Sequence, residues 1–149
     1  MTKKRIIVVD DEPLISILMK EVIEENPEFE VSQMTTEKSE FLNLMKQYPF
    51  HAAVIDISIG GKEGGLELLK IMKDQLMNTP VIVLSAHDEL YYALKCLQAG
   101  AKGYINKRYI CTDVIRCLNE VFTGNLFVSG DRGKDILKQY QKLDSPVAA

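Results

Sequence analysis

The stretch Arg5-Ile-Ile-Val-Val-Asp-Asp-Glu-Pro13 decides the fold of this chain. A short continuous apolar run bounded by polar residues reads as a strand covered on both faces. Pro13 has its φ preset for the first turn of a helix, where a missing N–H costs nothing. Strand, acidic turn and helix therefore form one βα unit, with Asp10 and Asp11 at the carboxyl end of the strand.

Outward from this unit the same alternation repeats. Strands are expected at Arg5–Val9, Phe29–Gln33, Ala52–Ile55, Val81–Leu84 and Lys102–Ile105, the second more polar and so at a sheet edge. Helices are expected at Pro13–Glu25 with Leu14, Leu18 and Val22 in register, and at Glu37–Gln47 with Phe41, Leu44 and Met45. Three more follow: Leu66–Leu76 with Leu68, Leu69 and Met72, Asp88–Gln98 with Leu90, Ala93, Leu94 and Leu97, and Thr112–Phe122 with Val114, Ile115, Leu118, Val121 and Phe122. Gly100 and Gly124 stand just past two of the helices, where a left-handed cap is commonly needed. Parallel crossovers are right-handed and cover both faces, so this order means an α/β, doubly wound, five-stranded parallel sheet.

The domain spans residues 4–123. Residues 124–149 are an extension too short for a second domain, with one more polar helix at Asp131–Leu143 and a linker beginning at Asp144–Ala149.

A chain of 149 residues with 46% hydrophobic and 26% charged residues is an ordinary globular domain. A net charge of −3 speaks against a nonspecific nucleic-acid surface. No apolar run reaches the ~20 residues of a membrane span, and no signal peptide is expected from Met1-Thr-Lys-Lys-Arg-Ile6. Cys96, Cys111 and Cys117 show no ligand spacing, so they read as reduced, mostly buried thiols of a cytoplasmic protein rather than a zinc site.

In a parallel sheet the carboxyl ends of the strands share one edge, where ligands bind. Asp10, Asp11, Asp56 and Lys107 each end a strand and would converge there. Three carboxylates in one crevice repel unless a cation sits among them, which predicts a hard divalent metal beside a reactive carboxylate. Each residue alone has a plain structural reading: Asp10, Asp11 and Ser85 as helix caps, Asp56 as a loop acid, Tyr104 as a half-buried strand aromatic and Lys107 as a solvated charge. Their joint placement at one edge is what argues for a site.

With Asp10-Asp11, Asp56, Ser85 after Val81-Ile-Val-Leu84, and Ala99-Gly-Ala-Lys-Gly-Tyr-Ile-Asn-Lys107, the chain resembles the receiver domain of two-component response regulators, and most closely the NarL/LuxR-like subfamily. The resemblance covers about residues 4–123 and implies a flavodoxin-like (βα)5 fold. It implies Asp56 as phosphoacceptor, Mg²⁺ held by Asp10, Asp11, Asp56 and the main-chain carbonyl of Ser58, and Lys107 and Ser85 as partners of the phosphoryl oxygens. Ser85 and Tyr104 would be the switch, reshaping the face of the fourth helix, fifth strand and fifth helix. The implied partners are a sensor histidine kinase, a second copy in a homodimer, and DNA only through a C-terminal domain absent from this chain. The chemistry would be self-directed aspartyl phosphorylation and dephosphorylation, not turnover of a substrate.

Some residues depart from the family pattern. The loop Ile57-Ser-Ile-Gly-Gly-Lys-Glu-Gly-Gly65 lacks the usual proline and is expected to be mobile, glycine being costly to order. Arg108 replaces a frequent cis-proline, so a trans bond is expected there. Ser58 and His87 occupy positions that tune phosphoryl lifetime in the family. The glycine loop does not end in Gly-Lys-Ser/Thr, which argues against a nucleotide-phosphate loop. Competing readings are a stand-alone receiver signalling through protein contacts, a docking pseudo-receiver, and a Mg²⁺-dependent phosphatase of the haloacid-dehalogenase type, whose Asp-x-Asp motif Asp10-Asp-Glu12 does not reproduce.

Overall fold

The computed structural model describes residues 2–86 and 90–144. The elements run β1 (Lys4–Val9), α1 (Pro13–Glu24), β2 (Phe29–Thr35), α2 (Lys38–Gln47), β3 (Ala52–Asp56), α3 (Gly64–Asp74), β4 (Val81–Ser85), α4 (Leu90–Gln98), β5 (Gly103–Asn106), α5 (Ile110–Phe122), β6 (Phe127–Val128) and α6 (Gly133–Asp144). A single 3₁₀ turn, Lys107–Tyr109, links β5 to α5. The strands lie in the order β2-β1-β3-β4-β5-β6, every neighbouring pair parallel. This is the doubly wound sheet expected from the sequence, with the polar β2 at its edge.

Strand side chains alternate between faces, which explains why the runs are apolar throughout. Ile6 and Val8 of β1 face Met19 and Ile23 of α1 and Val114 and Leu118 of α5. Ile7 and Val9 face the other way, into the layer built by Phe41 of α2, Leu68 and Met72 of α3 and Leu97 of α4. Gly100 and Gly124 adopt φ of 106° and 90°, the left-handed caps expected at those positions.

Two expectations need correction. Leu14 is not on the buried stripe of α1: it is 79% exposed, and the helix buries Met19, Val22 and Ile23 instead. A single helical repeat can be drawn through more than one stripe, and the position of the sheet chooses between them. The sequence also gives no sign of β6. Its two residues are too few to show a period, yet they extend the sheet beyond β5 by pairing Phe127 with Gly103 and Val128 with Tyr104. α6 then returns over α4, burying Ile136. The linker expected to begin at Asp144 lies, from residue 145 onward, outside the described residues, as does the expected start of the fourth helix at Asp88.

Candidate functional site

Parallel strands pointing one way carry Asp10, Asp56, Ser85 and Lys107 to a single edge. Asp10 follows β1, its N–H donating to Thr35 O at 3.2 Å. Asp56 and Ser85 are the last residues of β3 and β4, and Lys107 comes directly after β5. Asp10, Asp56 and Ser85 are buried, whereas Asp11 and Ser58 are exposed. Carboxylate oxygens of Asp10, Asp11, Glu12 and Asp56 all lie within 4.8 Å of one another. Every acid expected at the site is therefore present, together with Glu12, which the expected set did not include.

Lys107 is the cation that makes this crowding tolerable. Its Nζ lies 2.7 Å from Glu12 Oε1, 3.1 Å from Asp10 Oδ2 and 3.5 Å from Asp56 Oδ2. Burial alone disfavours its charge, but the hydrogen bond to Glu12 and the charges of Asp56 and Asp10 outweigh that, and its pKa is raised. Asp10 also has its pKa raised, which for a carboxylate disfavours the charge. Burial, and then the charge of Asp56, raise its pKa against the opposing hydrogen bond from Glu12 N–H and the attraction of Lys107.

The donors fit a hard cation. Asp10 Oδ1 accepts the Glu12 N–H at 2.8 Å, but Oδ2 is buried without a hydrogen bond among the described residues. The Lys107 ammonium stands 3.1 Å from that oxygen and attracts it. A buried carboxylate oxygen with a lysine on one side still has lone-pair capacity to spare, and a cation ringed by carboxylates of Asp10, Asp11 and Asp56 would use it.

Around Asp56 the loop is closed by its own hydrogen bonds. Ser58 N–H donates to Asp56 Oδ1 at 3.2 Å, and Ser58 Oγ lies 3.2 and 3.1 Å from the two carboxylate oxygens. The Ser58 carbonyl, implied as a metal ligand, accepts Gly61 N–H at 3.1 Å, which leaves its second lone pair available. Gly65 N–H reaches Ile57 O at 2.8 Å. The loop glycines serve close packing as well as freedom: a Cβ on Gly64 would fall 1.6 Å from the Ile59 carbonyl oxygen. Glu63 ties the loop to Lys95 of α4, and Glu67 of α3 pairs with Lys38 of α2, each at 2.9 Å. The bond before Arg108 is trans, as expected, with all other described peptide bonds.

Tyr104 is buried in β5 between Val83 and Val128. His87 lies outside the described residues. Cys96 and Cys117 are buried, as expected, and burial pushes the Cys96 thiol up to about 12 and Cys117 still higher; Cys111 is exposed.

An open-edged parallel sheet with an acid crevice and one opposed lysine defines a class, and the comparisons with known proteins agree with it. The family model for the response regulator receiver domain matches residues 6–119, so the chain belongs to that family of two-component signalling domains. Among curated relatives, the Fimbriae Z protein of Salmonella typhimurium is 25% identical over 85% of this chain and 60% of its own length. The transcriptional regulatory protein ComA of Bacillus subtilis is 25% identical over 96% of this chain and 67% of its own. The chain spans about three fifths to two thirds of the length of such curated relatives.

Solved structures share the fold. The Salmonella typhimurium response regulator RcsB superimposes with a TM-score of 0.82 at 19% identity, over 97% of this chain and 72% of that one. A LuxR-family response regulator from Aurantimonas gives 0.81 at 21% identity, over 95% and 98%. The receiver domain of NarL from Mycobacterium tuberculosis gives 0.76 at 24% identity, over 84% and 100%.

Proposed function

We propose that this receiver accepts a phosphoryl group on Asp56 from a phosphohistidine of a sensor histidine kinase. The observation that carries the reading is the buried Asp56 carboxylate held between Lys107 Nζ at 3.5 Å and a ring of carboxylate oxygens within 4.8 Å. An Asp56 oxygen forms the new bond to phosphorus as the P–N bond breaks and its electron pair leaves with the imidazole. Lys107 neutralises one phosphoryl oxygen, and the Ser85 hydroxyl, buried at the end of β4, donates to another. Ser58 N–H and Oγ hold the Asp56 carboxylate in place. Asp10, Asp11 and Asp56, with the Ser58 carbonyl, would hold Mg²⁺, which when bound offsets the charge gathered on the phosphoryl group. Positioning and electrostatics carry such a transfer, since there is little covalent work for the protein.

The acyl phosphate would bias a two-state equilibrium through Ser85 and Tyr104, changing the face made by α4, β5 and α5. We read the output as transcription control through a DNA-binding domain beyond residue 149, with self-association among its means. ComA and DegU, which it resembles, carry names of transcriptional regulatory proteins and are longer than this chain. The setting would be cytoplasmic; among the described residues no helix is long and apolar enough to cross a membrane. The chain would turn over no external substrate.

Mass spectrometry after incubation with a small-molecule phosphodonor and magnesium tests this. Wild type should gain one phosphoryl mass and Asp56→Asn none. An unmodified wild type, or steady hydrolysis of exogenous monoesters, would overturn the reading, the second outcome favouring a phosphatase.

A further inference from the structure

The face on which the switch would be read out is already occupied by the chain itself. β6 pairs with the outer edge of β5, so Tyr104 lies beside Val128 in the sheet. The pairing is clamped twice by one residue: Ser129 N–H donates to Tyr104 O at 2.9 Å, and Ser129 Oγ accepts Asn106 N–H at 2.9 Å. Gly130 N–H donates to Asp113 Oδ2 at 3.0 Å, tying the following turn to α5. α6 then lies across α4, and Ile136 joins the apolar layer that contains Ala93, Leu97 and Tyr104. A cavity of about 330 Å³ remains between Tyr104, Leu90, Ser129 and Ile136.

We infer that residues 127–144 form a self-docked strap closing the α4–β5 side of the domain, released when the β5 switch moves. Three features carry this. The exposed edge of a strand is a template for pairing with another chain, and a two-residue β6 is a thin cover for it. The strap grips β5 through the backbone of Tyr104, the switch aromatic, and of Asn106, next to Lys107, so a shift of β5 reaches it directly. Finally, its seat is incompletely filled, because the cavity beside Tyr104 leaves the ring room to move against Ile136. The release step rests on the phosphoacceptor reading of Asp56; the closure of the face does not.

Linkage makes the coupling reciprocal: if phosphorylation loosens the strap, loosening the strap eases phosphorylation. Hydrogen exchange by mass spectrometry on the full chain, with and without phosphodonor and magnesium, reads both halves. In wild type carrying the phosphoryl mass, amides of 127–144 should exchange faster, at least about fivefold for a coupling of ordinary size. A modified protein whose strap exchanges as before overturns the release while leaving Asp56 as the acceptor. Ile136→Asp, without any phosphodonor, should speed exchange in 127–144 and in α4 while β1 and β3 keep their protection. Unchanged α4 amides in a variant whose strap is loosened overturn the closure.

Ser129→Ala, which removes one clamp and leaves the core intact, should shift the same amides in the same direction by less. Both variants should be phosphorylated faster than wild type, and equal rates count against the coupling. If no protein acquires the phosphoryl mass, the reading of Asp56 fails and the release fails with it. The α4 amides of Ile136→Asp then still decide whether the strap closes the face.

Discussion

Lys107 Nζ is closer to Glu12, at 2.7 Å, than to either Asp10 or Asp56. The cation proposed to meet the phosphoryl group is thus held at the mouth of the crevice by an acid that is itself 61% exposed. A pair of that exposure is worth less than about 1 kcal/mol. Glu12→Gln should accordingly raise the rate of phosphorylation by no more than about fivefold. Lys107→Ala removes the group that meets the developing charge and should slow it by about a hundredfold or more. Initial rates with a small-molecule phosphodonor measure both, and a slower Glu12→Gln would show that the tether positions Lys107 rather than restrains it.

Without metal, Asp10 is a buried carboxylate beside another, and its raised pKa says that its charge is a burden on the fold. A group whose folded pKa is raised favours the protonated native state, so its charged form weakens stability as pH rises through that value. Asp10→Asn keeps an acceptor for Glu12 N–H and removes the charge. It should raise metal-free stability at neutral pH, and lose the stabilisation that bound magnesium would give wild type. Thermal unfolding with and without magnesium separates the two effects.

His51 gives a pH dependence elsewhere. Its Nδ1 accepts Arg5 N–H at 2.9 Å, and burial, then Arg5 and Lys4, lower its pKa from 6.5. A base with a depressed folded pKa contributes stability above its unfolded pKa, lost as pH falls through the folded one. Stability should therefore decline from pH 6.5 downward, and His51→Asn, which keeps an acceptor without a titrating ring, should flatten that part of the curve in urea titrations. An unchanged slope would assign the decline to other groups.

The cysteines should divide by burial. Native protein should react with a thiol reagent at one site, Cys111, and unfolded protein at all three. Cys96 and Cys117 should stay silent in native protein through moderately alkaline pH, because burial pushes their thiols far up. Peptide mapping after alkylation identifies the labelled residue.

Gly64→Ala should destabilise the domain by about 2–3 kcal/mol or more, since the new methyl would collide with the Ile59 carbonyl oxygen beside Asp56. Gly124→Ala meets nothing within 4 Å and is strained only by its φ of 90°, so it should cost less. Chemical denaturation of the two variants ranks them.

The alternation of runs such as Arg5–Val9 with helical stripes determined the sheet, its parallel sense and the convergence of Asp10, Asp56, Ser85 and Lys107, because short βα connections leave few topologies. Local signals of that kind fix what each segment is and which way it points. They could not tell that Leu14 faces outward, that Glu12 reaches across to Lys107 from 95 residues away, or that Gly64 must lack a side chain. Nor could they show that two residues at Phe127–Val128 extend the sheet and bring α6 onto α4. Those outcomes depend on distances between segments remote in sequence, and only the packed molecule sets such distances.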